Sequence, residues 1–158
     1  MTIEQDVLDM RIRCLEELLA DEAADHPHFD MDQWLDLVDG WESYMLDDGT
    51  VSWCGTSACL AGTAFLLADR PTIHTDRYDL IEVDVGDELN VPWNDVIPER
   101  GAELLGLPCP GEGRHVFMAT WMTRDQMIEF LIWLIHEHRG DEVLPWEYGD
   151  WLAVADER

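Results

Sequence analysis

Four residues have the types and spacing that metal or thiol chemistry uses: Cys54 and Cys59 in "WCGTSACLAGTA", and Cys109 and His115 in "CPGEGRH". Together they make a C-x4-C and C-x5-H set of the thiolate and imidazole donors that tetrahedral zinc takes. Cys54 on its own suggests a second chemistry. A thiol just ahead of a helix sees the positive end of the helix dipole, which lowers its pKa and favours a nucleophilic thiolate. Such a nucleophile also needs a base, and His74 or His115 would have to be brought to it by the fold, since neither lies in a recognisable catalytic signature. A reversible Cys54–Cys59 disulfide is a third chemistry, and it depends on a specific Cβ geometry. The fourth reading is packing: Cys59, Ala58, Ala61 and Gly62 are small residues that let another backbone approach, and Gly55-Thr56 forms the turn that aims the helix. The packing reading, which requires no cofactor, is preferred here, and zinc on Cys54, Cys59, Cys109 and His115 is the alternative.

Two other constellations carry less chemistry. In "HEH", His136 and His138 are two positions apart and point to different sides of a helix, so they suit a dipole-matched helix end better than a shared metal ion. Eight tryptophans accompany 35 acidic residues. Aromatic surfaces beside a pair of carboxylates would fit a sugar cleft, but no spacing singles out such a pair, and core packing is the default for indoles.

The elements that must position these residues are mostly helices. Ile3, Val7, Met10, Cys14 and Leu18 recur on one stripe while Asp6, Asp9, Glu16 and Glu17 fall outside it, which predicts an amphipathic helix from Ile3 to Leu19. Asp30 is expected to cap a short helix from Met31 to Val38, with Trp34 and Leu35 inward. Asp48-Gly49 reads as a tight turn. A helix over "ACLAGTAFLLAD" is expected to start from Thr56 or Ser57 as N-cap. Ile81, Val83 and Val85 alternate with Glu82 and Asp84, predicting one short strand paired with the segment near Ile73 to Tyr78. "PERGAELLGLP" reads as a helix with Pro98 in its first turn and Gly106 as its C-terminal cap. The clearest helix runs from Arg124 to Arg139: Thr123 and Gln126 form a capping box, Asp125 complements the dipole, and Gly140 ends it. Its middle, "MIEFLIWLI", is apolar nearly all round, so a central position or a subunit interface is expected, and with the latter a homo-oligomer. The fold class expected is mainly α, a compact single domain over residues 1–158 with a small β-hairpin or strand element.

Charge narrows the function. Acidic residues number 35 against nine basic ones, for a net charge of -26, and all nine are arginine. Without lysine, Schiff-base and P-loop chemistry are excluded, and direct binding to a nucleic-acid backbone is disfavoured because cationic side chains drive it. Such a surface either reflects a salt-adapted or GC-rich genome or attracts basic proteins, including those whose own ligand is a nucleic acid, since dense carboxylates imitate phosphates. Eight tryptophans fit salt adaptation less well. Asp6, Asp9, Glu16 and Glu17 are the most regularly exposed candidates for a partner-binding face. The acidic N-terminal stretch lacks the basic start of a signal peptide, and no apolar run nears the roughly 20 residues of a membrane span, so a cytoplasmic, non-membrane protein is expected.

Four segments carry a resemblance to a family: "HFDMDQW", "CGTSACLAGTA", "GAELLGL" and "HVFMATWM". They resemble a family of small, uncharacterised bacterial and phage proteins with a Phe-x-Met-x-x-Trp opening, a Cys-Gly-Thr-x-x-Cys-x-Ala-Gly centre and a Leu-Gly-Leu helix before a Phe-x-x-x-Trp segment. The likeness spans Phe29 to Trp121. It implies a phage-derived protein without implying a reaction. The expectation from the whole sequence is therefore an acidic binding or inhibitory protein engaging a basic host protein, rather than an enzyme.

Overall fold

The computed structural model describes residues 3–22, 36–37, 41–51, 56–75, 81–85, 87–92, 96–108, 123–140 and 145–156. Among these are five α-helices: α1 (Ile3–Glu22), α2 (Leu60–Asp69), α3 (Ile97–Leu105), α4 (Arg124–Arg139) and α5 (Tyr148–Asp156). Strands β1 (Asp36–Leu37) and β2 (Thr56–Ser57) form a short antiparallel pair. Strands β3 (Thr72–Thr75), β4 (Ile81–Val85) and β5 (Glu88–Pro92) form an antiparallel sheet in the order β3-β4-β5. The described part is mainly helical, and its β content exceeds a hairpin.

The stripe predicted on α1 becomes its buried face. Met10, Cys14 and Leu18 are buried and Val7 is half-buried. α1 packs against α2, α3 and α4, which places it at the centre of the helical layer. α2 and α3 make the closest pair. Gly101 of α3 lies so near Ala61 of α2 that a Cβ there would stand 2.5 Å from the Ala61 Cβ. Ala61 and Gly62 are both buried, as the small-residue reading of α2 anticipated. Phe65, Phe130, Leu60, Leu105, Ile73 and Val83 are fully buried and join helices and sheet in one apolar cluster. Each such side chain contributes about 2 kcal/mol relative to exposure.

The helix ends follow local chemistry. Thr123 accepts from the Gln126 backbone N–H while the Gln126 side chain accepts from the Thr123 N–H, closing the expected capping box. Gly106 and Gly140 end α3 and α4 at φ +64 and +74, backbone angles that glycine adopts without steric cost. Gly49 turns the chain at φ +84, and its N–H donates to the Leu46 carbonyl, so the Asp48-Gly49 turn forms as expected.

Other expectations need correction. Asp36 and Leu37 lie in β1, not in a helix from Met31 to Val38, because their backbone pairs with Thr56 and Ser57; residues 31–35 and 38, with Trp34 and Leu35, lie outside the described residues. For the same reason neither Thr56 nor Ser57 caps α2. The N-cap is Cys59, in extended backbone, and its side chain makes no capping bond. α5 was not anticipated. It packs on α4 through rings: Trp151 meets Phe130 at 5.3 Å and Trp146 at 4.9 Å between centroids. α4 is accordingly covered by its own chain on most sides. Met127, Phe130, Leu131, Trp133, Leu134 and Ile135 are buried, and only Ile132 of its large apolar residues is exposed, at 40%.

Candidate functional site

The cysteine motif contributes one described donor. Cys54, Cys109 and His115 lie outside the described residues, whereas Cys59 is buried to 1% exposure at the start of α2. Cys59 there is part of the apolar cluster with Ala58, Leu60 and Ala61, a setting that suits packing. Among the described residues no group of three or more His, Cys, Asp or Glu side chains is placed to hold a metal ion. Cys14, on the buried face of α1, is held protonated: burial pushes its thiol up to about 12, with Glu17 adding to the rise and Arg13 opposing it.

His74 sits on β3, opposite Glu82 of β4, and its Nε2 stands 2.8 Å from Asp84 Oδ2. The pair is half-exposed and ties the two strands together at their surface. Nearby Asp48 accepts from both the N–H and the hydroxyl of Thr50, and these bonds hold its carboxyl below the usual range. His136 and His138 fall in the last turn of α4, with Arg139, as the dipole reading expects.

The carboxylates of α1 form a continuous face. At 100° per residue, Asp6, Asp9, Glu16 and Glu17 all fall on the arc opposite Cys14, Leu15 and Leu18. Asp6, Glu16 and Glu17 are exposed and Asp9 is half-exposed. From Asp6 to Glu17 the helix rises about 16 Å. Asp9 accepts a 2.9 Å hydrogen bond from Gln5 Nε2. Arg13, the one cation on this arc, is turned aside, its Nη2 donating to the Leu67 carbonyl at the end of α2. The arc thus presents negative charge from a rigid element, a surface suited to cationic side chains.

One feature of α1 escaped the stripe reading. Arg11 occupies the apolar side of the helix and is only 8% exposed. Its Nε donates to the Leu105 carbonyl at 2.9 Å and its Nη1 to the Leu134 carbonyl at 3.3 Å. The guanidinium therefore joins α1 to the C-terminal end of α3, where the helix dipole favours a cation, and to α4. Burial lowers its pKa and the field of Glu137 raises it. The signal was present in the sequence: an arginine one turn after Val7 and just before Cys14 sits inside the apolar stripe.

Beside Arg11 opens a cleft of about 380 Å³ between the ends of α3 and α4 and the start of α5. Leu107, Trp133, Leu134 and Tyr148 supply its apolar wall, and Glu137, His138 and Glu147 its polar one. Comparison with models of protein families, with curated proteins and with solved structures finds no match to the chain. No helix among the described residues is long and apolar enough to cross a membrane.

Proposed function

We propose that the protein is an acidic interaction protein that binds, and so inhibits, a basic protein, with the outer face of α1 imitating nucleic-acid phosphates. The observation that carries this reading is the single arc of Asp6, Asp9, Glu16 and Glu17 on a helix whose opposite face is locked into the core. Preorganised carboxylates lose little entropy on binding, and the net charge of -26 adds a long-range pull on cationic partners. The likeness of the Cys-Gly-Thr-x-x-Cys-x-Ala-Gly segment to bacterial and phage proteins supports a phage-derived inhibitor acting in the host cytoplasm. Zinc on Cys54, Cys59, Cys109 and His115 gains no support from the buried setting of Cys59.

The reading is tested by immobilising the protein, challenging it with cytoplasmic extract, and eluting with double-stranded DNA. The expected outcome is capture of a nucleic-acid-binding protein that DNA displaces. Capture of partners without a basic surface, or partners that DNA leaves in place, would overturn the mimic.

A further inference from the structure

Arg11 is one of nine cations among 35 acids, yet among the described residues no carboxylate lies within ion-pair distance of it. Two of its nitrogens are engaged by carbonyls. The third, Nη2, has no acceptor among the described residues. It lies against Gly106, 3.1 Å from where a Cβ would stand, and both Arg11 and Gly106 line the cleft. With Nε and Nη1 engaged, Nη2 faces the cleft, and a guanidinium held in place with an N–H group open to a cleft is positioned to take an acceptor from a ligand. A carboxylate is the acceptor whose geometry and charge fit best.

The surroundings restrict what carries that carboxylate. A simple anion entering here would meet the side chains of Glu137 and Glu147 and the field of a strongly acidic protein. A ligand that brings its own cation turns both carboxylates from repulsive to attractive. The rest of the wall is apolar and aromatic, and a volume of about 380 Å³ is at the small-molecule end of ligand sites. We propose that this cleft binds a small zwitterion of the α-amino-acid class with an apolar side chain. Its carboxylate sits on Arg11 Nη2, its ammonium against Glu137 and Glu147, and its side chain along Leu107, Trp133 and Tyr148. This site is separate from the carboxylate face of α1 and stands or falls independently of it.

Calorimetric titration of the full chain with L-leucine and L-phenylalanine tests the proposal. One-site saturation at millimolar or lower concentration is expected. L-leucinamide, which lacks the carboxylate, and N-acetyl-L-leucine, which lacks the ammonium, should each bind about tenfold more weakly or worse. Glu137 and Glu147 are exposed, so replacing both, Glu137→Gln with Glu147→Gln, leaves the fold intact and should weaken L-leucine about tenfold while strengthening N-acetyl-L-leucine, which no longer meets two repelling carboxylates. Arg11→Lys should weaken both, and a circular dichroism melt shows whether that variant is folded. Absence of saturation by either amino acid, or amide and parent binding equally, overturns the proposal.

Discussion

Gly101 and Ala61 meet with almost no space between their helices: a Cβ on Gly101 would lie 2.5 Å from the Ala61 Cβ and 2.8 Å from its Cα. The atoms met are the Cβ, Cα and carbonyl oxygen of Ala61, none of which can rotate away. Two effects oppose each other in Gly101→Ala. Removing a mid-helix glycine gains about 1 kcal/mol of helix propensity, while overpacking costs about 1–3 kcal/mol. With neither helix free to retreat, the steric cost should win, and Gly101→Leu should be worse. Urea unfolding decides it; a neutral or stabilised Gly101→Ala would show that α2 and α3 are not in contact here.

Cys14 gives a pH dependence whose sign is fixed by its raised pKa. The folded thiol holds its proton up to about 12 whereas an unconstrained thiol releases it near 9.0. The contribution to stability is therefore full below the unfolded pKa and is lost as pH rises from there toward the folded one. The loss is about 1.4 kcal/mol per pH unit over that window. Denaturant unfolding of the parent and of Cys14→Ala above and below this pH should give a steeper alkaline fall for the parent. Equal slopes would mean that the thiol is not sequestered.

Thr123 caps α4 through the reciprocal bonds with Gln126. Both residues are at the surface side of the helix start, so loss of the cap is not confounded by loss of core. Thr123→Ala should cost about 1 kcal/mol and Thr123→Asp or Thr123→Ser much less. Thermal melts of the three variants read this directly, and an unaffected Thr123→Ala would remove the cap from the list of stabilising features.

What could be read from sequence was whatever rests on local periodicity and end chemistry. α4 begins and ends where Thr123, Gln126 and Gly140 say it must, and β4 follows the alternation of Ile81, Val83 and Val85. Gly106 ends α3 for the same reason. What was not legible depends on distant partners. Asp36–Leu37 becomes a strand only because Thr56–Ser57 pairs with it, and that pairing also removes Thr56 and Ser57 as caps. β5 has weak alternation and leaves Leu89 69% exposed, so its strand character comes from lying at the edge of β4. α5 is short and carries Gly149 in its first turn; its stability comes from the ring of Trp151 against Phe130 and Trp133 of α4, with Trp146 edge-on to Trp151. Of the candidate site residues, the carboxylates of α1 follow from its helical period, whereas Cys54, Cys109 and His115 lie outside the described residues. Arg11 reads in sequence only as a break in the apolar stripe, and its role depends on the carbonyls of Leu105 and Leu134 and the cleft that the fold brings beside it.

Association kinetics between this protein and a nucleic-acid-binding protein captured from extract, measured from low to high salt, test the proposed interaction role most directly. The Debye length falls from about 10 Å at 0.1 M to about 3 Å at 1 M, so steering by the α1 face must weaken over that range. The parent should associate fast at low salt and slow steeply as salt rises. A variant with Asp6→Asn, Asp9→Asn, Glu16→Gln and Glu17→Gln should associate more slowly, show a shallower salt dependence, and change its dissociation rate less. An association rate that is flat across the series, or a fourfold variant that matches the parent, would contradict binding through this face.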